Sequence, residues 1–209
     1  MKLAVFGGSG RTGLPLVRQA LAKGYMVNAL VRTPSKLTIQ DDRLNIIQGD
    51  AGDPADVEKT VAGTDAVLSA LGHTKTSAKN IQTVATQHIV SAMKKHGVER
   101  IVSLTGAGVK DPNDEPKFVD RVFGFLLVTF ARDVIEDAEA HAEVLRESGL
   151  RWTLVRGPRL TGGEHTGTYK VGYVGKDSGT QVSRADTADF MLKALETDEW
   201  VKKAPMVSY

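Results

Sequence analysis

Residues 3–13 read Leu-Ala-Val-Phe-Gly-Gly-Ser-Gly-Arg-Thr-Gly, a short apolar run that leads directly into a glycine-rich turn. Gly7, Gly10 and Gly13 are spaced three residues apart, and an amphipathic segment follows at once. This order predicts a buried strand, a tight turn and a helix whose N-terminal N–H groups point towards the turn. Such an arrangement suits the diphosphate of a dinucleotide, because glycine lets the backbone approach the phosphates closely. A strand–helix turn without a ligand is the alternative.

Apolar runs and amphipathic segments alternate along the rest of the chain. The predicted strands are residues 3–6, 26–31, 44–48, 66–69, 101–104 and 152–155, with a possible short strand at 205–207. The predicted helices are residues 13–23, 55–61, 77–96, 134–148 and 185–196. Strands that alternate with helices predict an α/β fold, a doubly wound, Rossmann-type parallel sheet with helices on both faces. We expect one NAD(P)-binding domain over residues 1–209, with its site at the carboxyl ends of the strands.

The composition of the chain narrows the function classes. Of its 209 residues, 41% are hydrophobic and 25% are charged, and a formal net charge of +2 does not favour binding to nucleic acid or membranes. The lack of cysteine excludes disulfides, thiol catalysis and thiolate metal sites. A core strand already begins at residue 3, and the most apolar stretch, residues 123–131, is too short to cross a bilayer. We therefore expect a soluble, cytoplasmic protein without a signal peptide.

The end of the second predicted strand bears on which dinucleotide is bound. NAD-specific sites usually carry an acidic residue there for the ribose 2′-hydroxyl, whereas arginine pairs with the 2′-phosphate of NADP. This strand runs into Arg32, with no acidic residue at that point, and Ser35 and Lys36 follow closely. Arg32 with Ser35 or Lys36 can form a phosphate site, and Arg11 can close it from the glycine turn. The pattern favours NADP(H) over NAD(H), although Arg32 as a solvated loop charge is the alternative.

Three further strand ends are expected to line the rest of the site. Asp50 and Ala51 follow the third strand, where Asp50 can accept a hydrogen bond from the adenine amino group or can instead cap a turn. Leu71 and Gly72 follow the fourth strand, where small residues allow close approach to the adenosine and the diphosphate. Thr105 and Gly106 end the fifth strand, near the expected nicotinamide position. Both glycines can equally be turn residues only.

Sequence motifs along nearly the whole chain carry a resemblance to a known family. They lie at residues 7–13, 30–32, 49–50, 61–67, 95–98, 144–150, 166–169 and 189–192. The chain resembles the NmrA-like, atypical short-chain dehydrogenases, and within them the flavin reductase/biliverdin-IXβ reductase members. The resemblance implies hydride transfer from NADPH to a small aromatic acceptor, which can be a flavin, a quinone or a tetrapyrrole such as biliverdin.

The chain departs from the biliverdin/flavin reductases at two points, and it also lacks a motif of the typical short-chain dehydrogenases. Where the biliverdin/flavin reductases carry a serine after the threonine of the fifth strand, this chain has Gly106 beside Thr105. Where they carry a histidine after the proline of the sixth-strand loop, it has Arg159 after Pro158. None of the four tyrosines has a lysine four residues later, so the Tyr-x-x-x-Lys pair that serves alcohol oxidation is absent. Thr105 and Arg159 remain as catalytic candidates, and the chemistry expected is reduction of an acceptor that needs little help from the protein.

The expected cofactor contacts follow from the turn, the strand ends and the resemblance. They are Gly7, Ser9, Gly10, Arg11, Thr12, Gly13, Arg32, Ser35, Asp50, Ala51, Leu71, Gly72, Thr105, Pro158 and Arg159. A different function also fits the resemblance and the missing catalytic side chains, namely a non-catalytic NADP(H)-sensing protein of the NmrA-like kind. The expected assembly is a monomer or a homodimer.

The five histidines show no metal-ligand spacing, so we expect no metal site. His73 can lie over the cofactor, but a histidine in a surface loop is the favoured interpretation. His141 lies in the helix that borders the substrate side in the related proteins, and a partly exposed helical histidine is the favoured interpretation. Neither residue is assigned a role from the sequence.

An unusually apolar segment occupies residues 118–130, and it predicts a helix that is hydrophobic nearly all round. Packing in the core is the leading interpretation. A wall of an apolar acceptor pocket and a contact in a dimer are the alternatives.

Overall fold

The computed structural model describes residues 1–74, 77–116 and 132–209. Within these ranges the chain forms ten strands, five α-helices and a 3-10 turn at Pro34–Lys36. The strands are β1 (Lys2–Phe6), β2 (Met26–Val31), β3 (Leu44–Gln48), β4 (Ala66–Ser69), β5 (Arg100–Gly106), β6 (Arg151–Gly157), β7 (Arg159–Thr161), β8 (Lys170–Gly172), β9 (Gln181–Ser183) and β10 (Met206–Ser208). The helices are α1 (Gly13–Ala22), α2 (Pro54–Val61), α3 (Ile81–His96), α4 (Arg132–Glu147) and α5 (Arg184–Glu196).

A central sheet of eight strands organises the described part of the chain, in the order β3-β2-β1-β4-β5-β6-β10-β8. All neighbouring strands in it are parallel except β10 and β8, which are antiparallel, and β7 and β9 form a separate parallel pair. The strand order reverses between β1 and β4: β2 and β3 lie on one side of β1, and β4, β5 and β6 lie on the other. The Rossmann-type fold expected from the alternating pattern is confirmed, and this switch point is where such sheets bind ligands.

The helices cover the two faces of the sheet. Helices α1 and α5 pack together on one face, while α2, α3 and α4 pack side by side on the other. Successive side chains of β5 point to opposite faces of the sheet. Val102 and Leu104 join the core under α1 and α5, and Ile101 joins the core under α3. Strands buried on both faces read as continuous apolar runs, which is why they are visible in the sequence.

Four features differ from the expectations or lie beyond them. Helix α3 begins at Ile81 rather than at residue 77, and the three-residue strands β7, β8 and β9 were not expected. The antiparallel strand β8 makes the sheet mixed rather than purely parallel. The helix expected at 118–130 lies outside the described residues. No helix in the described ranges has both the length and the apolar character that crossing a membrane requires.

A buried ion pair joins the segments that surround the carboxyl edge of the sheet. Arg156 at the end of β6 is fully buried, and its Nη1 and Nη2 donate to the two carboxylate oxygens of Asp114 at 2.7 Å each. Its Nε and Nη1 also donate to the carbonyl oxygens of Ala204 and Val109, at 2.7 and 2.8 Å. Burial alone would raise the pKa of Asp114, but the Arg156 guanidinium holds it below its ordinary value.

We predict that Arg156→Met lowers the free energy of unfolding by about 3 kcal/mol, because Asp114 then loses its counter-charge in a largely buried position. Denaturant unfolding of the purified protein measures this change. Arg43→Met is the matched control, since Arg43 pairs with Asp41 on the surface, and it should leave the unfolding midpoint nearly unchanged. Equal effects of the two substitutions would contradict a structural role for Arg156.

Candidate functional site

The glycine turn between β1 and α1 is tightly packed against the neighbouring backbone. Gly7 has a φ of +76°, and a Cβ at this position would lie 2.7 Å from the carbonyl oxygen of Ala70. The N–H of Gly10 donates to the carbonyl oxygen of Gly7 at 2.9 Å, and a Cβ at Gly13 would lie only 1.9 Å from that same oxygen. Gly7 and Gly13 are therefore required by the turn itself, whether or not a ligand is bound.

A cleft opens beside this turn, at the switch point between β1 and β4. It is lined by Phe6, Gly7, Ser9, Gly10, Leu30, Val31, Arg32, Lys36, Gly49, Asp50, Ala51, Ala70, Leu71, Gly72, Thr74, Ser77 and Ile81. Eight of the expected cofactor contacts are among them, namely Gly7, Ser9, Gly10, Arg32, Asp50, Ala51, Leu71 and Gly72. Residues far apart in the sequence thus meet at one edge because the parallel strands end there.

The other expected contacts do not line this cleft. They are Arg11, Thr12, Gly13, Ser35, Thr105, Pro158 and Arg159. Thr12 is buried at the N-terminus of α1. Ser35 is exposed and does not line the cleft, whereas the neighbouring Lys36 does. The contacts of these expected residues with a cofactor remain predictions.

Two cations stand at the end of β2. Arg32 is exposed, with Nη2 3.5 Å from the Thr74 hydroxyl across the cleft, and Lys36 lies in the 3-10 turn that follows. In the described ranges neither residue forms an ion pair with a carboxylate. Arg11 lies instead near Arg184 of α5, whose pKa is lowered by burial and by the positive charge of Arg11. The cations that line the cleft after β2 are therefore Arg32 and Lys36.

The acidic segment after β3 forms a turn and a helix cap. The Asp50 carboxylate accepts from the N–H of Gly52 at 2.8 Å, which is the turn geometry considered as an alternative for this residue. Asp53 caps α2 by accepting from the N–H groups of Ala55 and Asp56 at 2.8 and 3.4 Å. Asp50 stabilises this turn and also lines the cleft, so its role in the turn is compatible with the expected contact to the adenine.

Polar groups on β5 face α4 beyond the cleft. Thr105 is buried, and its hydroxyl has no hydrogen-bond partner among the described residues. Two residues earlier, the Ser103 hydroxyl lies 3.0 Å from Nε2 of His141 in α4. His141 is only 1% exposed, so the interpretation as a partly exposed histidine was wrong. Its place on the stripe of buried residues in α4 is the signal that could have located it.

His73 is also less exposed than a surface-loop histidine. Its side chain is 18% exposed, and Nε2 lies 3.0 Å from a carboxylate oxygen of Asp137 in α4. Asp137 is buried and accepts from the N–H groups of Gln82 and Thr83 at 2.9 and 3.0 Å, so it caps α3 from a neighbouring helix. The sequence analysis missed Asp137, because no local pattern marks a cap supplied 55 residues away.

Arg159 lies on the far side of the carboxyl edge. Its side chain is exposed, and its backbone N–H donates to the carbonyl oxygen of Thr180 at 3.2 Å, next to β9. Gly106 is exposed as well, and a Cβ at that position would meet no atom of the described residues within 4 Å. Both positions that depart from the biliverdin/flavin reductases are therefore exposed with respect to the described part of the chain.

Comparison with known proteins identifies the family. A family model described as NAD(P)H-binding matches residues 7–198. The chain belongs to the NAD(P)H-binding family. YwnB of Bacillus subtilis, a protein of uncharacterised function, is 26% identical over 95% of this chain and 94% of its own length. The resemblance to atypical short-chain dehydrogenases is consistent with this membership and is confirmed at the level of the family.

Solved structures share the fold of this NAD(P)H-binding protein. A short-chain dehydrogenase/reductase of Veillonella parvula in complex with NADP has a TM-score of 0.82 at 18% identity, covering 100% of this chain and 94% of that one. ChuY, an anaerobilin reductase of Escherichia coli, has a TM-score of 0.78 at 18% identity, covering 100% of this chain and 97% of that one. At these identities the likeness concerns the fold.

We predict that His141 makes the protein less stable below pH 6.5. Burial lowers the pKa of His141 from 6.5 to about 4, against the opposing effect of the Asp137 charge. Between these values the unfolded chain binds a proton at this residue that the folded protein does not, so stability falls as the pH falls from 6.5 to 4. The full change is about 3 kcal/mol.

Unfolding free energies measured across this pH range test the assignment. His141→Gln should flatten the dependence, while His96→Gln, at an exposed position paired with Glu58, should leave the slope close to that of the wild type. An unchanged slope in His141→Gln would contradict a neutral, buried His141.

Proposed function

We propose that this protein is an NADPH-dependent reductase that delivers a hydride to a flat aromatic acceptor, such as a flavin, a quinone or a tetrapyrrole. The observation that carries the proposal is the cleft at the switch point, with the glycine turn on one side and two cations, Arg32 and Lys36, at the end of β2 that form no ion pair with a described carboxylate. Membership of the NAD(P)H-binding family and the oxidoreductase fold of its neighbours support the same class of reaction.

The residues of the cleft fit a dinucleotide. A side chain at Gly7 would fill the space where the backbone turns towards Ala70, and the first turn of α1 directs N–H groups and a positive dipole end to the same place. Ser9 and Gly10 would hold the diphosphate, and Arg32 with Lys36 would hold the 2′-phosphate. NADPH, when bound, supplies the hydride.

The acceptor class follows from what the chain does not contain. A Tyr-x-x-x-Lys pair, which would take a proton from an alcohol, is absent from the sequence. Flavins and quinones accept a hydride readily through their own electronic structure, so the protein needs only to bind and orient them. ChuY, which shares the fold, is a reductase of anaerobilin.

A second candidate is a protein that binds NADP(H) and reports its redox state without turnover. The observation that favours it is that Gly106 and Arg159 are exposed with respect to the described residues, at the two positions where the biliverdin/flavin reductases carry polar groups for the substrate. Consumption of NADPH separates the two candidates.

We predict that Arg32→Ala weakens NADPH binding by about 1.5–3 kcal/mol, the cost of losing a charge-assisted hydrogen bond. NADH binding should change little, because NADH has no 2′-phosphate. Fluorescence titration of both dinucleotides measures the two affinities, with Arg18→Ala, at an exposed position of α1, as the control. Equal losses for NADPH and NADH would refute the phosphate assignment.

We also predict that NADPH is oxidised in the presence of at least one of FMN, riboflavin, biliverdin and a simple quinone, and faster than NADH. Loss of the reduced nicotinamide absorbance gives the rate for each acceptor. Tight NADPH binding without turnover of any acceptor would instead support the sensor.

A further inference from the structure

One wall of the cofactor cleft is formed by the residues that follow β4. This wall consists of Leu71, Gly72 and Thr74 directly after the strand, and of Ser77 and Ile81 before and at the start of α3. All five residues lie outside the strands, so the hydrogen bonds of the sheet do not fix their position. The position of the wall therefore depends on side-chain contacts.

Asp137 of α4 holds the first turn of α3, at one end of this wall. Its Oδ2 accepts from the N–H of Gln82 at 2.9 Å, and its Oδ1 accepts from the N–H of Thr83 at 3.0 Å and from the Thr83 hydroxyl at 2.5 Å. These two N–H groups are the ones that the residue before a helix usually caps. Asn80 occupies that place but makes no side-chain cap, so the cap of α3 is supplied by another helix.

The same carboxylate also holds the other end of the wall. Nε2 of His73, which lies between two cleft-lining residues, is 3.0 Å from the carboxylate of Asp137. Gln82 provides a second link, since its side-chain Nε2 donates to the carbonyl oxygen of Leu71 at 3.1 Å. Asp137 is thus connected to both ends of the wall, directly through His73 and indirectly through Gln82.

A cap from a neighbouring helix does more than stabilise α3. A side chain at Asn80 could satisfy the same N–H groups and would leave α3 free to shift as a unit against α4. A carboxylate on α4 instead fixes where the first turn of α3 lies. The Asp137 side chain is only 1% exposed, so its removal would leave buried donors without acceptors. The position of the wall is therefore tied to α4.

A second carboxylate of α4 contacts the residues before α3 at the surface. Asp133 forms an ion pair with Lys79 at 2.6 Å, but the two side chains are 54% and 84% exposed. An ion pair with this degree of exposure contributes little, because solvent screens it. Asp133 lies one helical turn before Asp137, so it offers a matched comparison on the same helix.

We propose that Asp137 is a positioning residue of the dinucleotide cleft, and that it holds the wall after β4 where the wall contacts the dinucleotide. The proposal rests on the dinucleotide site of the proposed function. Asp137 is not among the described residues that line the cleft, so it acts through His73 and Gln82. The wall is expected beside the adenosine and the diphosphate, which NADPH and NADH share. Asp137 therefore affects the binding of both dinucleotides equally.

The first test is the affinity of Asp137 variants for the two dinucleotides, measured by fluorescence titration. Asp137→Ala should raise the dissociation constants of NADPH and NADH by the same factor, about tenfold. Asp137→Asn keeps one oxygen that can accept a hydrogen bond, so it should raise both constants by a smaller factor. This pattern differs from that of Arg32→Ala, which should weaken NADPH binding alone.

Two controls separate positioning from a loss of stability. Asp133→Asn removes the exposed carboxylate of the same helix and should leave both dissociation constants unchanged. Ser183→Ala removes the cap of α5, where the Ser183 hydroxyl oxygen accepts from the N–H of Asp186 at 2.9 Å. It should lower the free energy of unfolding without changing either constant, because no described residue of α5 lines the cleft. If Asp137→Ala does not fold, Asp137→Asn provides the measurement.

The second test is amide hydrogen exchange in the wild-type protein, followed by NMR. Coupling between the wall and the dinucleotide is reciprocal. Saturation with NADPH should therefore slow exchange of the Gln82 and Thr83 amides, which donate to Asp137. Exchange of both amides at the same rate with and without NADPH would contradict the coupling.

The outcomes distinguish failure of this proposal from failure of the proposed function. Folded Asp137 variants that bind both dinucleotides as the wild type does would show that Asp137 only caps α3, and the proposal would be wrong while the reductase stands. A loss confined to NADPH would overturn it as well, because the wall is expected to contact what the two dinucleotides share. Wild-type protein that binds neither dinucleotide would overturn the proposed function and the positioning role together.

Discussion

The buried guanidinium of Arg156 is the constraint on which the carboxyl edge of the sheet depends. A charge removed from water is costly unless it is paired and hydrogen-bonded, and Arg156 meets that requirement only with groups from separate parts of the chain. Asp114 and Val109 come from the segment after β5, and the Ala204 carbonyl comes from the chain before β10. Asp114 in turn accepts from the N–H of Val174, so the segment after β8 is fixed to the same centre.

The sequence was sufficient for strands β1 to β6 and insufficient for the three-residue strands β7 to β9. Strands β2, β3 and β4 have the predicted bounds, because each is a run of mostly apolar residues between turns. Strands β7, β8 and β9 have three residues each and form through pairing with distant segments, so no local run of apolar residues marks them. Helix α3 begins later than predicted because Asp137 of α4, and not the side chain of Asn80, caps it.

The residues of the candidate site also divide into those that the sequence could predict and those that it could not. The glycine turn and Arg32 could be predicted, because a turn followed by a helix and a charge at a strand end are local features of the sequence. The pairs His73–Asp137 and Ser103–His141 could not, because in each pair the partner in α4 lies more than thirty residues further along the chain. Burial of His141 depends on the packing of α4 against the sheet, which composition does not reveal.

This division explains why membership of the family indicates a dinucleotide but leaves the acceptor open. The groups proposed to bind the cofactor lie on β1, β2 and the turns that follow them, and their geometry is set by backbone contacts such as that between Gly13 and Gly7. The groups proposed for the acceptor are side chains, and they are held by tertiary contacts that substitutions can change without disturbing the sheet. Gly106 stands where the biliverdin/flavin reductases carry a serine, and the parallel pairing of β5 with β6 is intact there. Under the proposed function, the side chains of the loops after β4, β5 and β6 would therefore decide which acceptor is reduced.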